Sequence, residues 1–202
     1  MRRLRFALLC CTLTMAGIAD AQTTMRVRGT ITGLDGNVLS VKSRTGQDLK
    51  IELTEKTGVA YAKALTLADI KPGDGLGTTA VERPDGTLVA REIHTFPPAL
   101  GVPNEGHRPL EGGQSMTNAR VSAVSAVVQG ASGRELTLTW KDGSKKLLVP
   151  DNIPIVTTVD ADRSFLKPGE YVYINTVETG ADGTLRALGR IQVSKDGVRP
   201  PQ

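Results

Sequence analysis

Side chains that can attack, donate or bind metal are few in this chain of 202 residues. Nucleophilic catalysis needs a nucleophile held beside a base. The two histidines, His94 and His107, are far apart in sequence, and both cysteines, Cys10 and Cys11, lie near the N-terminus. Gly113-Gln114-Ser115-Met116-Thr117 lacks the closing glycine of a nucleophile elbow and leads into a strand pattern rather than a helix. Gly101 to His107 has the spacing of a phosphate loop, but His107 stands where lysine is required. Gly73-Asp74-Gly75-Leu76-Gly77 does not complete a dinucleotide fingerprint. Asp160 and Asp162 resemble the start of a calcium loop until Phe165, which occupies the glycine position, so capping of the following turn is expected instead. No catalytic residue is assigned. Carboxylates dispersed along the sequence leave an envelope hydrolase as one alternative.

Imidazole and thioether suit copper or silver, which makes His94, His107 and Met116 the candidate ligands if a soft metal binds. Trp140 invites comparison with a periplasmic copper- and silver-binding chaperone family that places His, Met and Trp around its ion on a small OB-like barrel, but alternation with Leu136 and Leu138 places Trp140 on the core face. A periplasmic soft-metal protein is therefore a second alternative. No two of these ligands share a strand at i, i+2 spacing, and the expectation is that the chain carries no metal and no cofactor.

The remaining polar candidates are cationic. Lys42, Arg44 and Lys50 fall on the outward face of neighbouring strands, and Lys141, Lys145 and Lys146 cluster at a turn. These six are the candidate ligand surface. Nucleic acid is an unlikely partner, since single-strand binding uses aromatic platforms between the charges and aromatics make up only 3% of the chain.

An internal repeat arranges these residues. Leu39-Ser40-Val41 matches Leu136-Thr137-Leu138 at an offset of 97, as Asp85-Gly86-Thr87-Leu88 matches Asp182-Gly183-Thr184-Leu185. Lys71-Pro72-Gly73-Asp74 matches Lys167-Pro168-Gly169-Glu170 at 96. Landmarks kept in order at one period mark a repeated unit.

Within the first copy, Val27–Ile31, Val38–Lys42 and Leu49–Leu53 read as strands. Apolar and polar residues alternate in them, and Gly-containing turns separate them. Ala62 to Ile70 is rich in helix formers and stops at Lys71-Pro72-Gly73. Leu76–Glu82 and Leu88–Thr95 close the copy. The second copy repeats this order with Ala119–Val128, Glu135–Trp140, Lys146–Pro150, a helical turn over Asp162–Leu166, Tyr171–Glu178 and Leu185–Val193. The expected fold is all-β: two tandem five-stranded OB-like barrels, each with a short helical turn between strands three and four. The domains are then 25–96 and 118–195. Residues 97–117, rich in Pro and Gly, form a linker, and 196–202 a flexible tail.

The run Arg28-Gly29-Thr30-Ile31, Asp35-Gly36-Asn37-Val38-Leu39-Ser40-Val41, Leu67-Ala68-Asp69-Ile70-Lys71-Pro72-Gly73-Asp74 and Pro84-Asp85-Gly86-Thr87-Leu88-Val89-Ala90 resembles a bacterial family of exported OB-like domains of unknown function. The resemblance spans Met25 to Phe96 and, more weakly, Thr117 to Ser194. It implies an envelope location and the barrel fold, and it brings no catalytic residues.

The N-terminus agrees with export. Arg2, Arg3 and Arg5 precede an apolar run from Phe6 to Ala19, and Ala19-Asp20-Ala21 offers a cleavage site, so 1–21 reads as a signal peptide. The run is too short to span a bilayer. Cleavage removes both cysteines and lowers the formal charge from +4 to +2, too small for an electrostatic argument for nucleic acid. The function expected is a non-catalytic binding or scaffolding module of the cell envelope, periplasmic or secreted. Its partner is an envelope protein or a glycan.

Overall fold

The computed structural model describes residues 23–125 and 133–201. The signal-peptide segment, residues 126–128 of one expected strand, and Gln202 lie outside the described residues. No described helix is long and apolar enough to cross a membrane.

The chain is all-β. The first copy contributes β1 (Thr23–Asp35), β2 (Val38–Ser43), β3 (Asp48–Glu52), β4 (Gly58–Ala64), β5 (Gly75–Glu82) and β6 (Leu88–Phe96). A short strand, β7 (Gly106–Pro109), lies in the connection. The second copy contributes β8 (Gln114–Ser125), β9 (Arg134–Trp140), β10 (Gly143–Val149), β11 (Ile155–Ala161), β12 (Tyr171–Thr179), β13 (Leu185–Ala187) and β14 (Arg190–Val193). The described helical segments are single 3-10 turns, of which Leu67–Asp69 and Arg163–Phe165 stand at equivalent places before β5 and β12.

Pairing of these strands does not follow the division into one barrel per copy. The first closed circuit runs β1-β2-β3-β13-β12 and back to β1, with β3 and β13 parallel and the other pairs antiparallel. The second runs β5-β6-β10-β9-β8 and back to β5, with β6 and β10 parallel. Each circuit takes three strands from one copy and two from the other. The apolar cores follow the circuits. One joins Val27, Leu39 and Ile51 to Val172, Ile174 and Ile191; the other joins Leu76, Leu88 and Ile93 to Leu136, Leu138 and Leu147.

Two strands that the sequence pattern did not reveal make the exchange. β4 and β11 are equivalent segments of the two copies, and they pair antiparallel from Val59↔Ala161 to Ala64↔Val156. β4 also runs parallel to β14, and β11 parallel to β6. The chain thus leaves one circuit through β4, crosses its own repeat, and enters the other. The helix expected over 62–70 shrinks to the turn Leu67–Asp69, because Ala62 and Ala64 pair with Thr158 and Val156. A ladder partner outweighs helix propensity, which is a weak preference even for alanine, the best helix former.

The linker and tail also depart from expectation. Residues 114–117 belong to β8, and β7 pairs with Ser115–Asn118, so eight residues of the expected linker are sheet. The tail turns back through a bridge between Lys195 and Val198, and Pro200 is buried. Lys195 Nζ lies 4.5 Å from the centroid of the Tyr61 ring and Arg199 Cζ 5.1 Å from that of Tyr171.

Candidate functional site

The two circuits are built alike but finished differently. In the second, the chain adds a sixth strand. β7 lies along β8 with His107 opposite Thr117 and Arg108 opposite Met116. His107 Nδ1 and Thr117 Oγ1 share a hydrogen bond of 2.8 Å. Its ring stacks on Trp140 at 6.2 Å between centroids and 21° between planes. On its other side, His107 Nε2 is 3.9 Å from Glu82 Oε2, and Lys145 Nζ donates to Glu82 Oε1.

The electrostatics of this cluster are settled internally. The hydrogen bond from Lys145 holds the Glu82 carboxyl below its ordinary range. Burial and the Lys145 ammonium push the His107 imidazole down, and Glu82 only partly opposes them. A neutral imidazole, an ionised carboxylate and an ammonium therefore satisfy one another. Glu82 pairs with Lys145, and β7 together with this cluster forms a plug on the edge of β8.

The first circuit lacks the plug. The pairs Ile31↔Val41 and Val121↔Leu138 are equivalent, which aligns Arg28 with Asn118, Val27 with Thr117 and Arg26 with Met116. β12 covers β1 on one side from Thr23 to Thr30, while β2 covers the other only from Gly29 onward. Among the described residues no strand stands where β7 stands. The Arg28 carbonyl faces that side and accepts from Arg44 N at 2.8 Å. The Arg28 guanidinium lies over the Tyr173 ring at 5.1 Å, and its Nε is covered with no hydrogen-bond partner. Arg26 and Arg44 are exposed beside it. On the same circuit a groove of about 470 Å³ is lined by Thr32, Ser40, Asp48, Leu49, Lys50, Gly183 and Leu185.

The six cationic candidates divide accordingly. Lys42 and Lys50 lie on the outer face of β2 and β3, opposite Asp48 and Ser40, and Arg44 sits at the turn beyond β2. Arg44 meets β1 at Arg28, Lys42 pairs with Thr30, and Lys50 lines the groove. Lys141, Lys145 and Lys146 do not form one surface. Lys141 is exposed at the turn, Lys145 is tied to Glu82, and Lys146 leaves the opposite face of β10 to meet Glu135 at 3.0 Å.

His94, His107 and Met116 are not brought together. Met116 and Thr117 are successive residues of β8 and face opposite ways, which separates Met116 from the His107 ring. His94 lies over Gly77, which it opposes across β5 and β6, and Asn118 closes over the same glycine from β8. A Cβ on Gly77 would stand 2.3 Å from His94 Nε2 and 2.8 Å from Asn118 Oδ1. Asn118 Nδ2 donates to the Pro103 carbonyl at 2.8 Å, and Phe96 meets His94 edge-on at 5.0 Å. This small polar clasp holds the connection against the barrel wall, and burial drives the His94 imidazole down to about 4. Among the described residues no three His, Cys, Asp or Glu side chains gather into a possible metal site.

Sequence reasoning passed over Glu82, Arg26, Arg28 and Tyr173. Arg26 and Arg28, at i, i+2 on the first strand, were a legible signal. Glu82 and Tyr173 were not, because each reaches its partner only through exchanged strands. Asp162 caps its turn, accepting from Ser164 N at 2.7 Å, whereas Asp160 pairs with Arg190. Comparison with protein-family models, curated proteins and solved structures gave no match for the chain.

Proposed function

We propose that the chain is an exported, non-catalytic binding module of the cell envelope and that the first circuit carries its ligand surface. The basic, apolar and Ala-x-Ala segments at the N-terminus support export. Two five-stranded circuits, each closed through one parallel pair, support reading the scaffold as OB-like. The observation that carries the reading is the contrast between the circuits. The second is plugged by β7 and the paired Glu82, His107 and Lys145, whereas among the described residues the first has no strand on the matching edge and carries a groove with hydroxyl, carboxylate, amine and apolar walls.

A photoreactive residue tests this in native envelopes. Placed at Ser40 in the groove, it is expected to capture a partner on irradiation; placed at the equivalent Thr137 of the second circuit, it is expected to capture none. Protease and glycosidase digestion of the adduct then separates a protein from a glycan. Absence of an adduct from Ser40, or equal capture from both sites, overturns the assignment.

A further inference from the structure

We propose that the bare edge of β1, Thr24–Val27, takes an extended acidic peptide from a partner protein by strand addition, in the position that β7 holds on β8. The inference rests on the first circuit being the ligand-bearing one. An unaccompanied strand edge presents backbone donors and acceptors that another strand can pair with. This chain contains the precedent. On β8, four residues of β7 supply that pairing along Ser115–Asn118, the stretch equivalent to Met25–Arg28. The stretch of β1 has β12 on one side and, among the described residues, no strand on the other.

The side chains around the edge select charge. Val27 points into the core, so Arg26 and Arg28 share the outer face of β1. Arg44 stands at the end of the neighbouring β2, joined to Arg28 through the backbone, with Lys42 two residues before it. Tyr173 fixes the Arg28 guanidinium from below, and the covered Arg28 Nε still lacks an acceptor. Carboxylates at alternate positions of an added strand would meet this row. Asp48 opposite Lys42 and Glu178 opposite Thr24 are the acidic groups facing the region, one at each end of it. A second copy of this chain fits poorly, because pairing β1 with β1 would gather Arg26 and Arg28 of both copies along one seam, and like charges facing across a strand pair are unfavourable.

The test uses isotopically labelled protein of residues 22–202 and three blocked octapeptides: one alternating Glu and Thr, one with Lys for each Glu, and the first again with alternate amides methylated. The Glu peptide is expected to bind saturably and to protect the fast-exchanging amides of Thr24–Val27. The Lys peptide and the methylated peptide are expected not to bind. Reversing two exposed charges, with Arg26→Glu and Arg44→Glu, is expected to weaken the Glu peptide by about tenfold or more while leaving the melt unchanged. The inference falls if the Glu peptide fails to bind at millimolar concentration, if methylation makes no difference, if protection appears elsewhere, or if the protein instead dimerises through this edge. Should Ser40 capture a partner while the Glu peptide does not bind, strand addition is refuted and the binding-module reading survives.

Discussion

Cutting the chain in the turn Glu111–Gly113 separates the sequence repeats but not the barrels. Each half supplies seven of the buried side chains in the first core, and the second core draws six from the first half and seven from the second. A buried Val, Leu or Ile contributes ~1.5–3 kcal/mol relative to exposure. Isolating a half leaves both of its partial cores open. If only half of that burial is lost across ten such side chains, the deficit is about 8–15 kcal/mol, as large as the whole net stability of an ordinary domain. The ladders β1–β12, β5–β8, β4–β11 and β6–β10 disappear as well. A protease site placed in this turn should therefore yield two fragments that stay together on size exclusion and keep the β spectrum of the intact protein. Melting should become dependent on concentration, because folding is then bimolecular. Fragments separated in denaturant should each give a coil spectrum, and mixing them should restore the sheet. Two monomeric fragments, each melting cooperatively by itself, would refute the exchange and restore one barrel per copy.

Three further perturbations probe the local geometry. His94 titrates near 4 in the folded chain because burial disfavours its charge, against about 6.5 when unfolded. The unfolded state thus binds the extra proton first, so stability should be intact above pH 6.5 and fall by ~3 kcal/mol as pH drops towards 4. Denaturant melts of the wild type and His94→Gln, compared across that window, should show a steeper slope in the wild type, since His107 and the lowered carboxylates contribute to both. Gly29→Ala would set a Cβ 2.2 Å from the Lys42 carbonyl oxygen, where backbone must move, so its melt should show a loss of ~1–3 kcal/mol or more. Trp140→Ala removes a half-buried ring from the second core and from His107, and should cost less than the ~3–5 kcal/mol of a fully buried aromatic. An unchanged midpoint would mean that Trp140 does not support the barrel.

Local pattern was enough to read the hairpins. Leu39 and Val41, and Leu136 and Leu138, alternate with polar neighbours, and all four are buried as expected. Period-two alternation records which face of a strand is inside, and that is a property of the strand alone. It cannot record which copy supplies the neighbouring strand. Val172 satisfies the same inward position whether β12 closes against β1 or against β8, because both copies offer equivalent edges. The choice is made by β4 and β11, the two segments whose pattern was weakest. β4 reads Gly-Val-Ala-Tyr-Ala-Lys-Ala, and its small residues, which resemble a helix in composition, allow Ala60 and Ala62 to be buried at the crossing. β11, with Ile155, Val156, Thr157, Thr158 and Val159, carries the β-branched signal that identified neither its partner nor its role. The candidate site inherited the same blindness. Arg28 and Tyr173 meet because β12 comes from the other copy, as do Glu82 and Lys145 across β5 and β10. Where a chain contains two copies of one unit, the repeat that makes the fold legible also makes its internal partners interchangeable, and the connecting segments must then decide between them.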